Sequence, residues 1–277
     1  MIWVAGRIVA DEDLMISALD RTFEHGLGLF ETFRTWSGHP TLLPRHLARI
    51  TRSAKELRLP LDPAALPDAN AVAELLDAEG ITDDVMLRLT LSGGRSETEG
   101  GVAWLRSAPL PTPTRSGGAI VGPPGRWEVD EFASGLARHK TLNYWKKRTI
   151  SEWARSQGYD EYVSTTTDGV LCWEGTRTNL CAVQSGTLIA PLAGPLLPGI
   201  MRALVADRAP LLGIKVREDY LYLAEIEHAD EIFLTNAVRG IIPVSQFGKW
   251  TYPAPGPLTR RLWDDILPWL HSRGTPA

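Results

Sequence analysis

Two short polar segments in the second half of the chain carry residue types that can bind a charged small molecule. Residues 174–179, Glu-Gly-Thr-Arg-Thr-Asn, offer one carboxylate in a small polar turn that leads into an apolar strand. Residues 197–202, Leu-Pro-Gly-Ile-Met-Arg, offer free backbone amides where a strand gives way to a helix. A carboxylate and an anion-binding helix start at this separation suit a flat cofactor with a basic nitrogen at one end and a phosphate at the other.

Pyridoxal phosphate (PLP) is such a molecule, and its chemistry also requires a lysine amine. Only six of the 29 lysine and arginine residues are lysines: Lys55, Lys140, Lys146, Lys147, Lys215 and Lys249. Lys140 is the candidate, because its leucine and aromatic neighbours are compatible with the partial burial that lowers the pKa of an amine. Lys146 and Lys147 look solvated on the amphipathic helix pattern that follows.

Each of the other positions has a functional and a purely structural interpretation. Glu174 is either the partner of the pyridine nitrogen or a solvated turn residue. Asn179 would hold the same loop through side-chain hydrogen bonds. Gly199 either lets the backbone approach a phosphate or simply begins a helix. Thr235 either adds a hydroxyl to the phosphate site or ends the apolar strand before it.

The elements of the first 107 residues follow from their apolar spacing. Strands are predicted at 2–9 (a strand or hairpin), 29–36, 85–92 and 102–105. One helix is predicted to begin at Pro44, and a second covers 68–79 and ends at Gly80. Residues 108–118 contain three prolines and two glycines, so they are interpreted as an interdomain linker, or otherwise as a long surface loop.

Short strands alternate with helices beyond residue 118. Strands are predicted at 119–122, 161–165, 180–183, 187–190 and 231–235, and helices at about 144–157, 200–212 and 258–271. The sequence therefore predicts an α+β protein with a small domain at 1–107, a linker at 108–118 and a larger cofactor-binding domain at 119–277.

Composition excludes several classes of function. A net charge of -4, without a basic stripe interleaved with aromatic residues, argues against nucleic-acid binding. No secretory signal and no apolar run of membrane-spanning length is visible, so the expected location is the cytoplasm. The two cysteines are expected to be reduced and buried, and the six histidines lack the spacing of metal ligands, so no metal site is expected.

Four motifs in this order resemble the class IV, fold-type IV PLP enzymes: 45–47 (Arg-His-Leu), 140–144 (Lys-Thr-Leu-Asn-Tyr), 174–179 and 197–202. This family includes branched-chain aminotransferases, D-amino-acid aminotransferases and aminodeoxychorismate lyases. The resemblance runs from Asp20 to Val244. It implies a two-domain fold of the D-amino-acid aminotransferase type, a cofactor held between the domains, and a homodimer.

The resemblance also implies roles for particular residues. Lys140 becomes the Schiff-base and proton-transfer lysine, and Glu174 the partner of the pyridine nitrogen. The phosphate ligands are then Arg45, the backbone amides of Gly199 and Ile200, and Thr235. The chain departs from the family at Met201, where members often have threonine, which removes a hydroxyl but leaves the amides.

Within the family, residues 25–34 and 233–244 look most like aminodeoxychorismate lyases. Branched-chain aminotransferases usually have a Lys-x-Gly-Gly-Asn-Tyr pattern, whereas this chain has Thr141 and Leu142 before Asn143. Their later strand tends to end in Gly-Thr-Ala, whereas residues 235–237 here are Thr-Asn-Ala. The expected reaction is therefore elimination of pyruvate from 4-amino-4-deoxychorismate to give 4-aminobenzoate, a folate precursor.

This small-molecule amine has two carboxylates, which planar arginine side chains bind well. Arg34 is the first candidate, with Arg88 and Arg239 behind it, although each can equally belong to an unrelated salt bridge. Thr32 either assists proton transfer or is structural. The first alternative is a class IV aminotransferase that acts on branched-chain or D-amino acids with 2-oxoglutarate, and the second is a dimeric binding protein without catalytic activity.

Overall fold

A computed structural model describes residues 1–112, 118–121, 135–192, 194 and 196–272. The chain divides into two compact units. The first contains Met1–Pro111, His139–Asn143 and the chain from Trp269 onward, and the second contains the chain from Thr112 to Arg138 and Tyr144–Pro268. Residues 113–117 of the predicted linker lie outside the described residues, and the predicted domain boundaries remain a prediction.

The first unit is built on an antiparallel sheet with the strand order β2-β1-β6-β5-β3-β4. Its strands are β1 (Ile2–Val4), β2 (Arg7–Val9), β3 (Gly28–Trp36), β4 (His39–Pro40), β5 (Met86–Ser92) and β6 (Ala103–Ala108). Its helices are α1 (Arg21–His25), α2 (Leu43–Glu56) and α3 (Ala69–Glu79). The predicted hairpin, the strands and both helices of this region are confirmed, with small shifts of their ends.

Local chemistry explains where α3 begins and ends. The Asp68 side chain accepts a hydrogen bond from the backbone N–H of Ala71 at 2.8 Å, which caps the start of the helix. Gly80 ends it in the left-handed conformation, with a φ of 64°.

Successive side chains point to opposite sides of each strand, so the sheet of the first unit has two different faces. Leu29 and Phe33 of β3, with Leu87 and Leu89 of β5, are buried in the hydrophobic core of this unit. The intervening residues of β3, at positions 30, 32 and 34, lie on the opposite face. The candidate chemistry of the first unit lies on that opposite face.

The second unit is built on a larger sheet whose strand order is β12-β11-β10-β14-β15-β7-β8-β9-β13. Its strands are β7 (Gly118–Val121), β8 (Glu161–Thr165), β9 (Leu171–Gly175), β10 (Asn179–Gln184), β11 (Thr187–Pro191), β12 (Lys215–Asp219), β13 (Leu221–Tyr222), β14 (Glu231–Asn236), β15 (Gly240–Phe247) and β16 (Trp250–Thr251). Its helices are α4 (Trp145–Ser156), α5 (Ile200–Arg208), α6 (Leu223–Glu227) and the greater part of α7 (Pro257–Ser272).

An additional pairing between β9 and β10 closes a ring of strands through β14, β15, β7 and β8. The core on one side of this sheet contains Leu180, Ala182, Ile232 and Leu234, which alternate along β10 and β14. The residues between them face the other way, and these include the polar residues of the candidate site.

The predicted strands and helices of the second half are confirmed, and the predicted strand at 119–122 is found at Gly118–Val121, with residue 122 outside the described part of the chain. Strands β9, β12, β13, β15 and β16 and helix α6 were not predicted. The mixed α+β class is confirmed. Within the described residues, no helix has both the length and the apolar character that a membrane crossing requires.

Candidate active site

Lys140 is held against the start of β3 by backbone hydrogen bonds. The Phe30 N–H donates to the Lys140 carbonyl at 2.9 Å, and the Leu142 N–H donates to the Gly28 carbonyl at 3.0 Å. Leu29 and Thr141 form the bridge between these two bonds. Only glycine fits at position 28, because φ is 150° and an added Cβ would lie 2.8 Å from the backbone carbonyl oxygen of Leu91.

This pairing places the Lys140 side chain on the face of the sheet that lies away from the core. Its Nζ lies 4.5 Å from the centroid of the Phe30 ring, and the Arg88 guanidinium carbon lies 3.9 Å from the same centroid. Thr32 is directly opposite Arg88 in the β3–β5 register. An amine, a guanidinium and a hydroxyl therefore share one face, as a substrate with an amine and a carboxylate requires.

The other arginines predicted to bind substrate have different surroundings. Arg34 stacks on Trp36, with its guanidinium carbon 3.9 Å from the ring centroid, and pairs with Asp84 at 3.3 Å. Burial and the neighbouring Arg177 lower the pKa of Arg239, whose backbone N–H donates to the Asn236 side chain at 2.7 Å. Arg34 is thus engaged within the first unit, and Arg239 belongs to the turn between β14 and β15.

Arg45, the predicted phosphate ligand of the first unit, lies in the first turn of α2 and is partly buried. Its role remains a prediction.

The structure corrects the expectation that Glu174 lies in a turn. Glu174 is the fourth residue of β9 and is only 4% exposed. Its Oε2 accepts hydrogen bonds from Asn179 Nδ2 at 3.3 Å and from the Leu197 N–H at 3.1 Å. Asn179 Nδ2 also donates to the Leu197 carbonyl at 3.1 Å, so it connects the two motifs as a loop-holding residue would.

Lys147 is not solvated as the helix pattern suggested. Its Nζ lies 3.2 Å from Glu174 Oε1, and its side chain is 23% exposed. The expectation was wrong because α4 begins beside β9, so the third residue of the helix reaches the carboxylate. The Glu174 carboxylate therefore accepts hydrogen bonds on both oxygens.

Strand register places Thr235 in the same row as Glu174 and Asn179. Asn179 pairs with Glu174 on one side and with Thr235 on the other. Thr235 is 1% exposed, and among the described residues its hydroxyl has no hydrogen-bond partner. Buried hydroxyls normally have partners, so this one is available to a ligand atom.

Helix α5 begins next to this row, at Gly199. In the part of the chain that the structure describes, no side chain caps the helix start, and the first turn contains no acidic residue. A Cβ at Gly199 would lie 1.7 Å from Asn179 Oδ1, so only glycine allows the helix start to approach Asn179 this closely. Uncapped amides, the positive end of the helix dipole and the buried Thr235 hydroxyl together fit a phosphate group.

The loop between β9 and β10 is fixed by a carboxylate that the sequence did not single out. Glu161 accepts hydrogen bonds from the Thr176 N–H at 3.0 Å, the Thr176 hydroxyl at 2.5 Å and the Thr178 hydroxyl at 3.0 Å. Tyr144 donates to the Thr176 carbonyl at 2.8 Å. The segment that follows Glu174 is therefore held in place by hydrogen bonds at Thr176 and Thr178.

A second buried set of charges in the first unit was also missed. Glu31 accepts hydrogen bonds from Arg49 Nε at 2.8 Å and, on its other oxygen, from His46 Nδ1 at 2.7 Å. Burial would raise the pKa of Glu31, but the charge and hydrogen bonds of Arg49 and His46 lower it to about 2. The signal was present in the sequence, because Glu31 occupies a core-facing position between Leu29 and Phe33.

The geometry of the second unit fits a cofactor with a basic ring nitrogen and a phosphate, and that of the first supplies a lysine. Comparison with known proteins identifies the family. Residues 28–247 match the model of the amino-transferase class IV family. The chain belongs to this family.

Class IV enzymes with different reactions are similar to this chain. It is 28% identical to the aminodeoxychorismate lyase of Bacillus subtilis (strain 168), over 100% of this chain and 98% of that protein. It is 25% identical to the branched-chain-amino-acid aminotransferase of Escherichia coli (strain K12), over 94% of this chain and 90% of that protein.

The structure of a branched-chain aminotransferase from Thermoproteus uzoniensis with norvaline superposes with a TM-score of 0.87 at 24% identity, covering 98% of this chain and 94% of that one. The predicted fold-type IV architecture is thereby confirmed. As a member of the class IV family, this chain is a PLP-dependent enzyme with a small-molecule substrate. The uncapped start of α5 and the Thr235 hydroxyl suit the phosphate of this cofactor, and the Glu174 carboxylate suits its ring nitrogen.

Proposed function

We propose that this class IV enzyme is a 4-amino-4-deoxychorismate lyase, which releases pyruvate and forms 4-aminobenzoate. The observation that carries the proposal is the shared face of Lys140, Thr32 and Arg88, because it offers a base, a hydroxyl and a carboxylate-binding cation together. Similarity to the B. subtilis lyase over the whole chain supports it. The Thr-Asn-Ala strand end at 235–237 and the missing glycine pair after Lys140 support it as well.

We assign the cofactor to residues of the four motifs and to Thr235. Lys140 would hold it covalently, and Glu174 would pair with its ring nitrogen. Asn179 would hold Glu174 in place through its side-chain hydrogen bond to that carboxylate. Its phosphate is assigned to Arg45, the amides of Gly199 and Ile200, and the Thr235 hydroxyl. When bound, PLP supplies an aldehyde that binds amines and a ring that withdraws electrons from the carbon next to the amine.

The remaining residues act on the substrate. Lys140, once released from the cofactor, takes the proton from the amine-bearing carbon of the substrate. Arg88 holds a substrate carboxylate, and Arg34 and Arg239 are weaker candidates because of their other contacts. Thr32, opposite Arg88, is placed to assist proton delivery to the departing enolpyruvate, which becomes pyruvate. One proton leaves the ring and one enters the product, so the reaction is balanced.

The test compares two reactions of the purified protein. With 4-amino-4-deoxychorismate, 4-aminobenzoate and pyruvate should form in equal amounts, and the Lys140→Ala protein should form neither. With leucine or D-alanine plus 2-oxoglutarate, little glutamate should appear. Clear glutamate formation without any 4-aminobenzoate would refute the lyase proposal.

An aminotransferase for branched-chain or D-amino acids is the second candidate, and the similarity to the E. coli enzyme favours it. It would use the same lysine and glutamate, with Lys140 returning the proton to the cofactor. Membership of the class IV family sets aside the earlier alternative of a binding protein without catalytic activity. We further propose a cytoplasmic homodimer with domains at 1–107 and 119–277, joined by the linker at 108–118.

A further inference from the structure

The first turn of α4 carries an unusual concentration of positive charge. Residues 146–148 are Lys-Lys-Arg, and the turn contains no acidic residue. Cations at the N-terminus of a helix oppose the helix dipole, so this arrangement does not stabilise α4. Arg148 is exposed and pairs with Glu152 on the same helix at 2.8 Å. Lys147 instead turns inward, toward the carboxylate of Glu174.

The Lys147–Glu174 pair is largely removed from solvent. The side chain of Glu174 is 5% exposed and that of Lys147 is 23% exposed, with 3.2 Å between Nζ and Oε1. The other carboxylate oxygen already accepts hydrogen bonds from Asn179 and Leu197. A pyridine nitrogen that approaches Glu174 therefore meets a carboxylate that already has a positive charge beside it.

We propose that Lys147 is a positioning residue that shares the Glu174 carboxylate with the cofactor's ring nitrogen and thereby weakens the hold of that nitrogen on its proton. The inference rests on the proposed cofactor site. A carboxylate alone favours the protonated ring nitrogen, because the two form an ion pair. A second cation on the same carboxylate repels the proton, so the ring nitrogen of this enzyme gives it up at lower pH.

Other charged and titratable groups lie near the same carboxylate. Burial is the main cause that raises the pKa of Tyr144 to about 12, so its hydroxyl stays neutral and donates to the Thr176 carbonyl. Glu161 is occupied by the threonines of the β9–β10 loop, and Arg177 is exposed. Lys147 is paired directly with Glu174, so its positive charge acts on this carboxylate at short range.

The experiment uses the protein loaded with PLP that carries ¹⁵N at the ring position, without substrate. The ¹⁵N chemical shift reports directly whether that nitrogen is protonated, and it is followed against pH. The variants are Lys147→Met, which removes the charge and keeps the length, Lys147→Arg, which keeps the charge, and Arg148→Met as the control for loss of one cation from the same turn. Lys147→Gln serves as a second neutral variant if Lys147→Met does not fold.

We expect the ring nitrogen to lose its proton at a pH at least about one unit higher in the neutral Lys147 variants than in the wild type. Lys147→Arg and Arg148→Met should titrate close to the wild type. Coincident curves for the wild type and Lys147→Met, including a nitrogen that stays protonated throughout in both, would overturn the inference. Borohydride reduction followed by mass analysis of the Lys140 peptide establishes loading independently. Failure of loading in the wild type would therefore contradict the cofactor site itself, whereas successful loading with coincident curves would contradict only the role of Lys147.

Discussion

Lys140 and Phe30 are paired twice, once through the backbone and once through their side chains. The Phe30 N–H donates to the Lys140 carbonyl at 2.9 Å, and the lysine Nζ lies 4.5 Å from the centroid of the aromatic ring. The lysine is therefore fixed to the sheet of the first unit, although it comes more than a hundred residues after β3. A rigid strand positions a reactive amine better than a mobile loop does.

Replacement of Lys140 by alanine should abolish covalent cofactor binding. The wild-type protein with PLP should show a visible absorbance band that sodium borohydride removes, and the mass should then rise by one reduced cofactor. Lys140→Ala should show neither change, whereas Lys146→Ala, which removes a nearby amine, should behave as the wild type. Reduction that labels a different lysine in the wild type would contradict the assignment.

Removing the charge of Arg88 and removing that of Arg34 should have different effects on kcat/KM. Arg88 shares the Phe30 ring with Lys140, whereas Arg34 is engaged by Asp84 and Trp36. Arg88→Gln should lower kcat/KM by roughly 10- to 100-fold, because a hydrogen bond to a charged group contributes about 1.5–3 kcal/mol.

The matched control is Arg106→Gln, because Arg106 lies directly opposite Arg88 on β6 and is exposed. It should leave kcat/KM within about twofold of the wild type. Arg34→Gln should mainly lower stability. A larger loss of kcat/KM for Arg34→Gln than for Arg88→Gln would restore Arg34 as the carboxylate ligand.

The alternation of apolar and polar residues in strands, and the spacing of apolar residues along one face of a helix, were sufficient to predict most of the elements, such as β3 and α3. The strand β9 was missed because its sequence, Leu-Cys-Trp-Glu-Gly, ends in a glutamate, which is uncommon in strands, and a glycine, which is typical of a turn. Only its pairing with β8, β10 and β13 makes this segment a strand. That information comes from residues far away in the sequence.

Candidate site residues could be proposed from the sequence where motifs carry them, and not where tertiary contacts bring residues together. Lys140 and Glu174 stand in recognisable motifs, whereas Lys147 reaches Glu174 only because α4 and β9 are neighbours in the fold. Glu31 is an intermediate case. Its core-facing position indicates a buried charge that needs a partner, but the sequence alone does not say that His46 and Arg49 provide it.

The stability of the first unit should depend on pH through the Glu31 carboxylate. Its pKa in the folded protein is about 2, below the ordinary value of 4.5. Its contribution to stability is therefore fully present above about pH 4.5 and is lost as the pH falls toward 2. From this difference, the carboxylate contributes roughly 3 kcal/mol at neutral pH.

Glu31→Gln should therefore lower the midpoint of urea unfolding at pH 7. That midpoint should also fall less between pH 5 and 3 than it does in the wild type. The control is Glu152→Gln, since Glu152 forms an exposed pair with Arg148 and should contribute under about 1 kcal/mol. Equal pH profiles for the wild type and Glu31→Gln would show that the buried charges do not stabilise the fold.

The Thr235 hydroxyl should affect the cofactor far more than the fold. It is buried and has no partner among the described residues, so Thr235→Val removes an unsatisfied group at almost no change in volume. The protein without PLP should keep or slightly raise its Tm. The Kd for PLP should rise roughly tenfold or more, because a hydrogen bond to a charged phosphate is lost.

Thr259 provides the matched control for this prediction. Its hydroxyl is also buried without a partner among the described residues, but it lies in α7 and outside the Glu174–Asn179–Thr235 row. Thr259→Val should therefore leave the Kd for PLP unchanged, while its effect on Tm should resemble that of Thr235→Val. If both variants weakened PLP binding equally, the loss would reflect general packing of the second unit, and Thr235 would not be a phosphate ligand.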